Sequence, residues 1–130
     1  KEFFEKYDVI HFTGHGENGW RIGKKILLTA DKIPSLSQAP QLIVSNSCRT
    51  ALYSNNSGFI EKLLKNNVNW IIASNLKIPD KNMSDFFLAF YKEVIEGYSI
   101  DAAFYITISK YIQQNKCHWH YYKLFNNGTF

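Results

Sequence analysis

The sequence predicts an α/β domain built on a mostly parallel sheet. Apolar, β-prone runs stand at residues 7–12, 41–46 and 70–74, and amphipathic stretches fall at 57–66, 82–96 and 99–114. Strands that alternate with helices build parallel sheets, because each crossover needs a helix to cover a sheet face. Size agrees with this: 130 residues, 45% apolar and 16% aromatic, give the length of one domain and the material for a real core.

The chain opens Lys1-Glu2-Phe3-Phe4-Glu5, without Met and in the manner of a mid-helix segment, so a fragment of a longer protein is expected. Tyr7-Asp8-Val9-Ile10-His11-Phe12 reads as a strand that enters the glycine-rich loop Thr13-Gly14-His15-Gly16. Residues 17–40 hold Asn18-Gly19, Gly23, Pro34 and Pro40, with a short strand at Lys25-Ile26-Leu27-Leu28 and a helical turn opened by Thr29-Ala30-Asp31. Gln41-Leu42-Ile43-Val44-Ser45-Asn46 is a second buried strand, followed at once by Ser47-Cys48-Arg49-Thr50. Phe59, Ile60, Leu63 and Leu64 give the helix over 57–66 its core face, and Asn67-Val68-Asn69 turns the chain into Trp70-Ile71-Ile72-Ala73-Ser74. Asn82 or Ser84 caps a long helix to about Glu96, with Phe86, Phe87, Phe90 and Val94 on one face and Gly97 as its stop. That phenylalanine stripe is core packing rather than a cofactor box. Ser99 caps the next helix, which carries Ala102, Ala103, Ile106 and Tyr111 to about Gln114, and residues 121–125 form the last strand.

Charge and composition exclude several classes. The 15 Lys+Arg outnumber the 11 Asp+Glu, but Lys24-Lys25, Lys62, Lys65, Lys77 and Lys81 are scattered without a dense stripe, so no nucleic-acid partner is expected. The longest apolar runs, such as Trp70-Ile71-Ile72-Ala73, fall far short of the roughly 20 residues a spanning helix needs, and no membrane association is expected. Two cysteines make no disulfide framework and no signal-peptide pattern opens the chain, so a reducing, cytoplasmic setting is expected. No cofactor is expected.

The chemistry sits at two strand ends. His15 stands just after the first clear strand and Cys48 just after the next long one. In a parallel sheet, functional residues gather beyond the carboxyl ends of the strands. If these two strands are neighbours, about 4.8 Å apart, an imidazole and a thiol meet at one edge. A thiol needs a base or a positive field to become a thiolate, and His15 supplies it. Gly14 and Gly16 let the backbone approach a ligand, and the main-chain N–H groups of Gly16 and Cys48 form an oxyanion hole. The expected chemistry is acyl transfer.

Two segments, Tyr7-Asp8-Val9-Ile10-His11-Phe12-Thr13-Gly14-His15-Gly16 and Leu42-Ile43-Val44-Ser45-Asn46-Ser47-Cys48-Arg49-Thr50-Ala51, resemble the CHAT domain of the caspase, separase and gingipain group of cysteine peptidases. The likeness continues in order through Gly58-Phe59-Ile60, Ile71-Ile72-Ala73-Ser74, Ile78-Pro79-Asp80, Phe90-Tyr91, Ser99-Ile100-Asp101-Ala102-Ala103 and Tyr122-Lys123-Leu124-Phe125. It implies a caspase-like three-layer α/β sandwich, with His15 as general base and acid and Cys48 as nucleophile in a dyad. A protein or peptide substrate follows, as do regulatory domains or a partner protein that gate the peptidase. Asp80 matches an acidic position near the family's cleft and is a candidate substrate contact. CHAT domains usually carry a strand and helix ahead of the histidine strand; this chain lacks them, so a partial domain with an incomplete sheet is expected. The rival reading is a catalytically inactive caspase-like scaffold or interaction module.

Two other groups are read as structural. His11 lies inside a strand and is expected to be a core or supporting histidine. In Cys117-His118-Trp119-His120, a strand would place His118 and His120 on one face and Cys117 on the other, which favours an adventitious cluster over a zinc site.

Overall fold

The computed structural model describes residues 1–14, 16, 19–24, 26–47, 58–74, 83–117 and 119–127. In chain order its elements are α1 (Glu2–Lys6), β1 (Val9–Thr13), β2 (Gly19–Ile22), β3 (Ile26–Thr29), β4 (Leu42–Asn46), α2 (Phe59–Lys65), β5 (Trp70–Ala73), α3 (Met83–Ile95), α4 (Ile100–Gln113) and β6 (Lys123–Asn126). Two short 3-10 turns, Ala30–Lys32 and Trp119–Tyr121, complete the set.

The central sheet has the order β1-β4-β5-β6. β1 and β5 both run parallel to β4, and β6 pairs antiparallel with β5. This is the mixed, mostly parallel α/β architecture that the strand–helix alternation predicts. β4 and most of β5 are excluded from solvent on both faces, which is why Leu42-Ile43-Val44 and Ile71-Ile72-Ala73 are unbroken apolar runs rather than alternating ones.

Alternation along the strands sorts the core into two layers. Ile10, Ile43, Ile71 and Ala73 face one side, where Phe4 of α1, Trp20 of β2 and Phe59, Ile60 and Leu63 of α2 cover them. Leu42, Val44 and Ile72 face the other, under Phe86, Phe87 and Phe90 of α3 and Ala103, Phe104 and Tyr111 of α4. The result is a sheet between two layers. The phenylalanine stripe of α3 is indeed core. In α4 the buried residues are Ala103, Phe104, Thr107 and Tyr111, whereas Ala102 and Ile106 are only half-buried. Thr107 reaches the core because its hydroxyl donates to the Ala103 carbonyl at 2.7 Å, leaving no unpaired donor.

Helix ends follow their residues. Gly97 takes φ +105°, its N–H donates to the Val94 carbonyl and the Tyr98 N–H to that of Glu93, the paired bonds of a left-handed helix stop. Asn67 and Asn115 do the same after α2 and α4 at φ 67° and 55°. Ser84, offered as a cap, lies inside α3, which begins at Met83; Asn82 lies outside the described residues. Ser99 is the N-cap residue of α4, although its hydroxyl donates to the Asp101 carboxylate rather than to a backbone amide.

Several boundaries and one element differ from expectation. β1 begins at Val9, because Tyr7 closes α1 in an extended conformation. α2 is shorter than the predicted 57–66, beginning at Phe59. Tyr121 belongs to a 3-10 turn, and β6 starts two residues later. β2 has no counterpart in the sequence reading. It pairs antiparallel with β3, Trp20 opposite Leu28, in a hairpin that turns at Gly23. Gly19 opens it because β3 passes too close for a side chain: a Cβ there would stand 2.2 Å from the Leu28 carbonyl oxygen. Among the described residues, no helix is long and apolar enough to cross a membrane.

Candidate active site

The edge of the sheet where β1 and β4 end is the candidate site. These strands run side by side in register, Val9 opposite Leu42 through to Thr13 opposite Asn46. Their ladder extends one step further, since the Gly14 N–H donates to the Asn46 carbonyl at 3.4 Å. The glycine loop after β1 and the Ser47 turn after β4 therefore leave the same edge, in the same direction. That was the geometric condition the sequence reading set. His15, Cys48 and Asp80 themselves lie outside the described residues.

Of the predicted site residues, Gly16 is described. It forms an isolated antiparallel bridge with Trp20 at the start of the hairpin. The loop after β1 is thus fastened to β2.

Beneath the end of β4 lies a polar group that sequence reasoning missed. Ser45, Asn46 and Ser47 are buried, at 0%, 8% and 2% exposure. Buried polar side chains need partners, and these have them. On the α2 side of the sheet, the Trp20 indole N–H donates to Ser45 Oγ at 2.7 Å, and Ser45 Oγ lies 3.1 Å from Ser47 Oγ. On the α3 side, the Tyr122 hydroxyl donates to Asn46 Oδ1 at 2.9 Å. Trp20 is stacked on Phe12 of β1 with centroids 4.7 Å apart, and Tyr122 is wedged between Phe86 and Phe87 at 5.0 and 4.7 Å. The signal available in the sequence was the run Ser45-Asn46-Ser47 at the end of an apolar strand. Its partners are 25 and 76 residues away and carry no local mark.

His11 differs from its expected place. It stands on the α3-facing side of β1, an outer strand of the sheet, and is exposed rather than in the core. One side of its ring still packs edge-on against Phe87 at 5.0 Å, and Nδ1 lies 2.7 Å from the Tyr91 hydroxyl. Partial burial holds the imidazole pKa below its usual value, and pushes the Tyr91 phenol up to about 12. Tyr91 therefore stays a neutral phenol beside the ring.

The strand argument for Cys117 to His120 falls away, because Trp119–Tyr121 is a 3-10 turn and two-residue alternation does not apply. His118 lies outside the described residues, and Cys117 is an exposed free thiol. No group of three His, Cys, Asp or Glu that would hold a metal ion occurs among the described residues.

The family model of peptidase family C25 matches residues 4–128. The chain belongs to peptidase family C25, a family of cysteine peptidases. No curated protein gave a match. In open α/β sheets ligands bind beyond the carboxyl ends of the strands, and the edge described above is such an end. The match spans both strand ends, the hairpin between them and β6, so the C25 relationship covers every element that builds this edge.

Proposed function

We propose that this chain is a CHAT-type, caspase-like cysteine endopeptidase domain of a longer protein, working through Cys48 and His15. The observation that carries the reading is the register of β1 and β4. Thr13 and Asn46 are paired, and His15 and Cys48 each follow two residues later. Neighbouring parallel strands about 4.8 Å apart send such side chains toward a common substrate carbonyl.

The chemistry follows from the two groups. His15 takes the thiol proton of Cys48, and the thiolate attacks the peptide carbonyl carbon. The main-chain N–H groups of Gly16 and Cys48 receive the developing oxyanion. His15 returns the proton to the leaving amine as the C–N bond breaks, which leaves a thioester. Water then adds with His15 as base, and the acid product departs as Cys48 is regenerated. The substrate is a protein or peptide, with Asp80 as a contact for a basic side chain. Other parts of the longer protein, or a partner, gate the site.

The test is alkylation and cleavage. Cys48→Ala should abolish peptide hydrolysis and covalent labelling at position 48, and His15→Ala should lower kcat/KM by roughly 10²–10⁴-fold. Both variants should unfold at the wild-type temperature within a few degrees. Full cleavage by Cys48→Ala would end the assignment. Alkylation at Cys117 alone, with position 48 inert at every pH, would make the chain an inactive caspase-like scaffold.

A further inference from the structure

We infer that Trp20 and Tyr122 are positioning residues, clamping the end of β4 from opposite faces of the sheet and so fixing the turn that leads to Cys48. The inference rests on the peptidase reading above.

A buried strand end needs no polar side chains to pack; apolar ones would do so at lower cost. β4 nevertheless closes on Ser45 and Asn46, one toward each face, and each meets a long aromatic donor from a distant element. The donors are held before they bond. Trp20, 2% exposed, is fixed between Phe12, Phe4 and Phe59, and Tyr122, 3% exposed, between Phe86 and Phe87. Their N–H and O–H groups therefore act as rigid stops for the two residues just ahead of Ser47.

Trp20 also reaches the other loop. Its backbone bridges Gly16, the residue after His15, while its indole holds Ser45, three residues before Cys48. One rigid residue thus ties Gly16 to the end of β4. A misplacement of about 1 Å at such a site costs on the order of a hundredfold in rate. That gives a clamp far from the reacting atoms a measurable effect.

The experiment is iodoacetamide alkylation against pH, read by mass spectrometry, with the exposed Cys117 of the same molecule as internal reference. In the wild type, Cys48 should react at lower pH than Cys117, because His15 favours its thiolate. Tyr122→Phe, which removes one oxygen, and Trp20→Phe, which keeps an aromatic ring, should each move the Cys48 profile toward that of Cys117. The Cys48/Cys117 rate ratio near pH 6 should fall by about fivefold or more, for a thiolate whose pKa rises by about a unit. A purely structural role would lower the unfolding temperature and leave the pH profile in place, and that result overturns the inference. If Trp20→Phe does not fold, Tyr122→Phe decides alone. A wild-type Cys48 that titrates like Cys117 would instead sink the peptidase reading itself, and the clamp with it.

Discussion

At the scale of single residues, His11 shows how a side chain at a sheet edge becomes pH-sensitive. Its ring is only partly covered, yet Phe87 and Tyr91 remove enough water to disfavour the imidazolium. The neutral ring shares a hydrogen bond with the Tyr91 hydroxyl at Nδ1. The folded pKa lies below the unfolded value of about 6.5, so the folded chain binds this proton less readily than the unfolded one. The contribution to stability is therefore fully present above about pH 6.5 and is lost as pH falls through the folded pKa. Urea titrations at about pH 8 and about pH 5 should show a larger acid-side loss for the wild type than for His11→Gln, in which nothing titrates at that position. Equal losses would mean that burial beside Phe87 and Tyr91 does not disfavour the protonated ring in the folded chain. This arrangement was only half legible beforehand: a histidine inside a strand was visible, but whether its face meets solvent or a helix depends on how far α3 extends over β1. Ser45 and Asn46 repeat the lesson, since polar residues at a buried strand end announce a need for partners without naming Trp20 or Tyr122.

At the scale of elements, glycine and asparagine at helix ends make opposite predictions from one rule. Gly97 sits at φ +105°, with nothing within 4 Å of where a Cβ would stand, so Gly97→Ala meets backbone strain alone and should cost about 1 kcal/mol. Asn67 and Asn115 already bear left-handed strain, and Asn115→Gly should raise the urea midpoint by an amount equivalent to a few tenths of a kcal/mol. Gly19 differs in kind. Any side chain there meets the Leu28 carbonyl, backbone that a strand cannot easily withdraw, so Gly19→Ala should cost about 1–3 kcal/mol and exceed Gly97→Ala. If the two alanine variants lose the same stability, the hairpin is more yielding than its close approach implies. The contrast also explains which elements sequence could disclose. Gly97 after a long amphipathic run marks its own helix stop. β2 does not mark itself, because four residues beginning Gly19-Trp20-Arg21 become a strand only by pairing with β3 and by the burial of Trp20.

At the scale of the whole molecule, the sheet that frames the candidate site lies between two core layers, one on each face. The fold class was legible because strand–helix alternation and unbroken apolar strands are local patterns. His15 and Cys48 could be proposed as a dyad because each follows such a strand. Strand order was not, since adjacency of β1 and β4 comes from a pairing that skips the whole hairpin. That adjacency makes a mechanical prediction. Phe90 is fully buried in the layer formed by α3 and α4, and Phe90→Ala should cost about 3–5 kcal/mol, a large part of the 5–15 kcal/mol typical of a domain. Ile72 and Val44 carry that loss into β5 and β4, whose opposite faces hold Ile71 and Ile43 under α2. If the sheet transmits it, hydrogen exchange in Phe90→Ala should speed up in the amides of α2 as much as in those of α3, although α2 lies on the far side of the sheet. Exchange that quickens only in α3 and α4 would show two layers that open independently, and the edge bearing the two loops would then be held by the α2 layer alone.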